Sequence, residues 1–200
     1  DALAISYGTM HGASKGKGVK LRKEIAIAIK ECMMHENLFG VLVSHGSSTV
    51  PGYIVEEINA LGGNIQNAHG ISIEELKAAI PCGIGKINVD TDIRLAVTRN
   101  MKEYFAQHPE KRNSPSIGGV YQLLEEKREQ FDPRAFLPPI MDTVMYGMVP
   151  DKDRAELVEV IEKGVKEAIG TLIVEFGSYG KAPLVEQVSL EEMAERYKRM

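Results

Sequence analysis

Lys86-Ile87-Asn88-Val89-Asp90-Thr91-Asp92-Ile93-Arg94-Leu95-Ala96 is the stretch on which the fold turns. Ile84 to Val89 is short, bounded and rich in β-branched residues, and it empties into the polar Asp90-Thr91-Asp92. From Ile93 the apolar spacing becomes helical and continues to about Gln107, where His108-Pro109 stops it. A strand, a polar loop and a helix in that order form one unit of a parallel α/β sheet. Two earlier stretches repeat the pattern. Ala2 to Tyr7 leads to Gly8-Thr9-Met10-His11-Gly12, and Val41 to Val43 leads to Ser44-His45-Gly46-Ser47-Ser48. All three runs read as buried parallel strands. His11, His45 and Asn88 recur at intervals of 34 and 43 residues, the rhythm of successive βα units.

The segments between these runs read as helices. Leu21, Ile25, Ile29 and Cys32 share one helix face. Pro51 opens, and Gly62-Gly63 closes, a second helix that carries Ile54, Val55, Ile58 and Leu61. Ser72 to Glu75 forms a capping box for a short helix that Pro81 ends. Beyond Gln107 the chain reads as helical over Ser114 to Gln130 and Asp151 to Phe176. A second capping box, Ser189 to Glu192, precedes a terminal helix over Leu190 to Met200. Residues 1–109 are therefore read as βα units and 110–200 as a helical extension packed on them.

Composition fits a globular α/β protein and narrows its partners. The 200 residues are 44% hydrophobic and 26% charged, with 24 basic against 28 acidic side chains and a net charge of −4. Basic residues are scattered among acidic ones, so no broad basic face for nucleic acid is expected. No run approaches the ~18 apolar residues of a membrane span, and no basic segment precedes an apolar core at the N-terminus. The chain is read as cytoplasmic, with no membrane partner. Cys32 and Cys82, without further cysteines or suitably spaced histidines, are read as small buried hydrophobes.

In a parallel sheet, the carboxyl ends of the strands build the functional site. Here those ends present His11, His45, Asn88 and Asp90. Two imidazoles from successive strand ends can share a zinc ion, although a loop histidine is also an ordinary hydrogen-bonding group. Glycine after each histidine admits close backbone approach. Gly12 with Lys15, Gly46 with Ser48, and Asn88, Asp90 and Thr91 would surround a phosphate from three loops. The plain alternatives are a flexible turn at Gly16-Lys17-Gly18 and a helix cap at Ser47-Ser48. Recurrence at three strand ends favours a phosphorylated ligand beside a metal.

These residues carry a family resemblance. Gly8-Thr9-Met10-His11-Gly12, His45-Gly46-Ser47-Ser48-Thr49-Val50-Pro51, Lys86 to Ala96 and Phe131-Asp132-Pro133-Arg134, in that order, resemble the class II, zinc-dependent fructose-1,6-bisphosphate aldolases. The resemblance implies a (β/α)8 TIM barrel to which this chain supplies the last three strands and a C-terminal helical extension. It implies His11 and His45 as zinc ligands, with another divalent ion as a substitute and a monovalent cation, Na+ or K+, as a further cofactor. Gly12, Lys15, Gly46, Ser48, Asn88, Asp90 and Thr91 correspond to groups that hold the phosphate of dihydroxyacetone phosphate, Asn88 also lying near the enediolate. Arg94 resembles a residue directed at the second phosphate. Asp132 and Arg134 resemble residues that reach a neighbouring subunit's site, which implies a homodimer or homotetramer.

The chain departs from the family pattern at Met10, where serine is common, at Ser44, where leucine is common, and at Thr49, where glycine is usual. His69 stands in place of an aromatic and is read as a loop residue, like His35 and His108 at helix ends. The family's third histidine ligand and its catalytic aspartate are expected upstream of Asp1, so the chain is read as the C-terminal portion of a longer enzyme. The expected reaction is reversible cleavage of fructose 1,6-bisphosphate to dihydroxyacetone phosphate and glyceraldehyde 3-phosphate, in glycolysis and gluconeogenesis. The alternatives are the same chemistry on tagatose 1,6-bisphosphate, and a non-catalytic phosphate-binding or assembly module.

Overall fold

The computed structural model describes residues 2–11, 15 and 18–199. In chain order the elements are β1 (Ala2–Ile5), α1 (Lys23–His35), β2 (Val41–Ser44), α2 (Gly52–Ala60), α3 (Ile73–Ala79), β3 (Ile84–Ile87), α4 (Thr91–Gln107), α5 (Gly118–Glu126), α6 (Met141–Tyr146), α7 (Lys152–Glu175) and α8 (Leu190–Lys198). The three strands form a parallel sheet in the order β1-β2-β3. Ala2 pairs with Val41 and Ile5 with Ser44, and the β2–β3 register slips by one residue at Gly85. Parallel pairing brings all three carboxyl ends to one edge, which places the loops after Ile5, Ser44 and Ile87 side by side.

The strands are less buried than expected. Ile5, Leu42 and Ile84 face a core formed with Leu21, Ala26, Ile71, Leu76 and Ala79; Val43 is buried outside that cluster, and Leu3 and Val41 are exposed. Leu3 shares its face of the pleat with Ile5, and Val41 with Val43, so the exposure marks the amino-terminal ends of β1 and β2 and not one face of the sheet. Cys32 is exposed and Cys82 half-buried, which corrects their reading as buried hydrophobes. The packed stripe of α1 turns toward Ala26, Ile29 and Met33 and leaves Cys32 at its margin.

Helix α4 is the centre of the second half. Leu95 and Ala96 pack against Ile54 and Ile58 of α2, while Val97, Met101, Tyr104 and Phe105 pack against Val120, Leu124 and Leu157. Thr98 and Lys102 on its buried side are bonded, while the Asn100 side-chain oxygen has no partner among the described residues. The Thr98 hydroxyl donates to the Phe131 carbonyl at 2.8 Å, and the Lys102 ammonium donates to the Leu124 carbonyl at 3.3 Å. Helix α7 lies against α4 across Gly164. A Cβ there would stand 2.9 Å from Ala96 O and Val97 Cα, so only glycine permits this approach.

Local signals account for most helix ends. The Ser72 and Ser189 hydroxyls accept from the Glu75 and Glu192 amides at 3.2 and 3.1 Å, and Asp151 accepts from the Arg154 amide at 3.0 Å. The helix expected over Ser114 to Gln130 is shorter. Pro115 keeps Ser114 extended, and α5 begins only at Gly118 and ends at Glu126. Among the described residues no helix is long and apolar enough to cross a membrane.

Candidate active site at the strand ends

The loops after the three strands enclose a cleft of about 220 Å³ lined by His11, Lys15, His45, Gly46, Ser48, Asn88, Val89, Asp90 and Thr91. Eight of these nine are residues singled out from the sequence. Gly12 and the Gly16-Lys17 part of the proposed turn lie outside the described residues.

Ser48 is the node of the cleft. Its hydroxyl accepts from the amides of Asp90 at 3.2 Å and Thr91 at 3.0 Å, at the start of α4. Its carbonyl accepts from the Lys15 ammonium at 3.0 Å and from the Ile71 amide at 3.1 Å. Lys15 is 95% removed from solvent (5% exposed), and burial pushes its pKa below the usual lysine value, opposed by the nearby Asp92 carboxylate. A cation and a hydroxyl whose oxygen is pinned by two helix-start amides therefore converge, leaving the hydroxyl proton and the remaining ammonium hydrogens as donors suited to an anion.

The two histidines face each other across the cleft mouth, with ring centroids 6.0 Å apart and planes tilted by 53°. Two imidazoles sharing one zinc at Zn–N distances of ~2.0–2.1 Å put their centroids roughly 5–6 Å apart, so the pair fits two positions of such a site. Among the described residues no group of three or more His, Cys, Asp or Glu side chains is placed to hold a metal. The Asn88 side-chain nitrogen lies 3.2 and 3.3 Å from the two ring nitrogens of His45, and Lys86 donates to the Asn88 side-chain oxygen. Asn88 is thus aimed at His45, with its oxygen held by Lys86.

Gly46 lets the first two loops meet. It has φ +62°, and a Cβ on it would stand 2.8 Å from Met10 C and O and 3.1 Å from His11 N. Beneath the loops, the Tyr7 hydroxyl, the Ser44 hydroxyl and the Ser47 hydroxyl form a buried chain with spacings of 2.5 and 2.6 Å. Ser44, the departure from the usual leucine, is therefore the middle of a polar support.

Arg94, Asp132 and Arg134 form an ionic cluster beside the cleft and not within its lining. Arg94 binds Asp90 through Nε at 2.8 Å and Nη2 at 2.7 Å, and through Nη1 it also binds Asp132. Asp132 accepts further bonds of 2.6 to 3.0 Å from Arg134. Arg134, then its own burial and Arg94, act on the Asp132 carboxyl, with the net effect of holding it below the usual carboxylate range. His69 is a loop residue, its carbonyl accepting from the Lys15 amide at 3.0 Å, while His35 ends α1 and His108 caps α4.

Sequence reasoning missed the role of Asp92. It is 3% exposed in the first turn of α4, and its two oxygens take three donors from the neighbouring loop. The Thr49 amide and hydroxyl reach Oδ2 at 3.0 and 2.7 Å, and the Val50 amide reaches Oδ1 at 2.9 Å. Val50 has φ +51°, a left-handed conformation that costs a β-branched residue ~1–3 kcal/mol. An acidic residue in a helix's first turn usually faces water, so nothing local announces this burial.

A parallel α/β unit that brings a facing histidine pair, a buried lysine, a serine hydroxyl and an asparagine to one cleft at its strand ends defines the class of molecule. The sequence matches the family model for fructose-bisphosphate aldolase class II over residues 1–181. The chain belongs to the class II fructose-bisphosphate aldolase family. It is 35% identical over 199 residues to a fructose-bisphosphate aldolase of Giardia intestinalis, covering 99% of this chain and 48% of that protein. It is 34% identical to a fructose-bisphosphate aldolase of a Nostoc species and 32% identical to that of Xanthobacter flavus, each match covering 98% of this chain and 44% of the relative. The chain spans about half the length of the curated relatives it matches.

Proposed function

We propose that this chain forms the metal and phosphate half of a class II aldolase active site, which cleaves fructose 1,6-bisphosphate reversibly to dihydroxyacetone phosphate and glyceraldehyde 3-phosphate. The observation that carries this reading is the convergence of His11, His45, Lys15, Ser48, Asn88 and Thr91 on one cleft at three adjacent strand ends. The strands are read as the last three of a (β/α)8 barrel, with residues 110–200 as a helical extension reaching a subunit interface.

His11 and His45 would hold zinc, which when bound supplies the Lewis acidity that makes the substrate carbonyl electron-poor. The Lys15 ammonium, with hydrogens beyond the one it gives to the Ser48 carbonyl, and the Ser48 hydroxyl, whose oxygen is held by the Asp90 and Thr91 amides and whose proton is free, bind one substrate phosphate and fix the sugar's orientation. Gly46 admits the phosphate to the backbone, and Gly12 is assigned there by the resemblance alone. Asn88 donates its side-chain N–H toward an oxygen at the reacting carbons. Arg94 serves the second phosphate by exchanging a carboxylate partner for it. Asp132 and Arg134 are assigned to a homodimer or homotetramer contact, and a monovalent cation, Na+ or K+, is a further cofactor by the resemblance.

The test is made in the protein that carries this chain. His11→Ala and His45→Ala each lower zinc affinity and fructose 1,6-bisphosphate cleavage by at least about a hundredfold, since loss of groups that merely support a ligand already costs 10–100-fold. Normal cleavage by either variant overturns the reading. Tagatose 1,6-bisphosphate in the same assay separates the two sugars by kcat/KM, and a folded protein that binds no zinc and cleaves neither sugar supports the non-catalytic alternative.

A further inference from the structure

Asp92 does more than close a hydrogen-bond list. It stands two residues after Asp90 in α4, and its oxygens face backward onto Thr49 and Val50, the residues that follow Ser48. The Ser48 hydroxyl in turn accepts from Asp90 and Thr91, so the loop after β2 and the start of α4 are fastened twice, over three residues of each segment. The two fastenings differ in kind. Ser48 lines the cleft, while Asp92 is buried behind it and lies outside the cleft lining. Val50 sits between them with φ +51°, a conformation its branched side chain resists. Released from Asp92, Val50 has every reason to return to an extended backbone, and Ser48 is two residues away.

We propose that Asp92 is a positioning residue for phosphate binding: by holding Thr49 and Val50 in a strained turn it sets the Ser48 hydroxyl against the α4 amides. Thr49, where the family usually has glycine, adds a hydroxyl bond of 2.7 Å to the same carboxylate. The proposal deepens the aldolase reading and rests on it for the identity of the phosphate ester. The clamp itself is tested by inorganic phosphate, whatever reaction the protein performs.

Asp92→Asn keeps the shape but presents an N–H₂ to at least one backbone N–H, so one of the three donors loses its acceptor. Isothermal titration with inorganic phosphate is expected to show about tenfold weaker binding in this variant, equivalent to ~1.4 kcal/mol. KM for fructose 1,6-bisphosphate should rise in proportion while kcat changes less. The decisive arm is the double variant Asp92→Asn with Val50→Gly. Glycine adopts φ +51° without strain, so phosphate affinity should return to within about threefold of wild type. A merely structural Asp92 would not be rescued by softening Val50. Phosphate affinity unchanged in Asp92→Asn, or no recovery in the double variant, overturns the proposal. If Asp92→Asn does not fold, Thr49→Val deletes only the hydroxyl bond, and about threefold weaker phosphate binding is expected. Unchanged affinity there is equally fatal. A wild-type protein that binds phosphate but cleaves no sugar bisphosphate would refute the aldolase reading while leaving the clamp to stand or fall on these affinities.

Discussion

Replacing Gly46 with alanine should damage the site through two separable effects. The residue has φ +62°, and placing an L side chain in that conformation costs ~1–2 kcal/mol. The added Cβ would also lie 2.8 Å from Met10 C and O, against the 3.4 Å at which ordinary contact begins. The two backbones must part by about 0.6 Å, and such overpacking costs ~1–3 kcal/mol. Together the destabilisation should be about 2–5 kcal/mol, read by urea denaturation. The clash is with backbone, so it cannot be relieved by rotating a side chain. His11, whose amide nitrogen lies 3.1 Å from the same Cβ, must move with Met10. That shift should weaken zinc binding by ~10–100-fold, measured by competition with a chromophoric chelator. Gly147→Ala is the control, because Gly147 has φ +66° with nothing within 4 Å of its Cβ position. It should lose only the conformational part and leave zinc affinity alone. A Gly46→Ala protein that loses no more stability than Gly147→Ala and binds zinc within twofold of wild type would refute the argument that this contact sets the histidine pair.

Two further predictions concern the helical half. Gly164→Ala would push a methyl to 2.9 Å from Ala96 O and Val97 Cα and should destabilise the protein by ~1–3 kcal/mol, seen as a lower urea midpoint without a changed slope. Tyr104, buried and donating to Glu156 at 2.9 Å, has its pKa pushed up to about 12, first by burial and then by Glu156. Its folded pKa lies above the unfolded value of about 10, so its contribution is intact below pH 10 and lost as the pH climbs through 12. Tyr104→Phe should remove that step from an alkaline unfolding profile, and an identical profile would count against the assignment.

The features legible in the sequence are those written in neighbouring residues. Strand, glycine-bearing loop and helix follow one another locally, and so the sequence alone places His11, His45, Asn88 and Asp90 at strand ends. Capping boxes at Ser72 and Ser189 are local as well, and both hold. Cys32 was misplaced because a helical stripe read at steps of three and four is wide, and which edge packs depends on the partner. The importance of α4 was hidden for a related reason. Its buried side includes Thr98, Asn100 and Lys102, residue types that ordinarily signal a solvated face, and their partners come from segments 22 to 67 positions away.

The cleft itself was legible only as a set of residues, because the bonds that tie its loops to one another are long in sequence. Tyr7 to Ser44 spans 37 positions, Lys15 to Ser48 spans 33, and Ser48 to Thr91 and Thr49 to Asp92 each span 43. Each of these ties joins one loop to the next, and none closes a loop on itself. Loops tied in this way cannot adjust independently: a shift of Val50 reaches Ser48, which carries Lys15 on its carbonyl and the α4 amides on its hydroxyl. A site made from mobile single loops would need the ligand to order them and would lose affinity by that ordering. Here the ordering is built in by buried side chains behind the cleft, Ser44 and Asp92 above all, which lie outside its lining. The physical reason a strand-end site can be rigid while lying wholly in loops is therefore found one layer beneath it, where a carboxylate and three hydroxyls replace the hydrogen bonds that a sheet would have supplied.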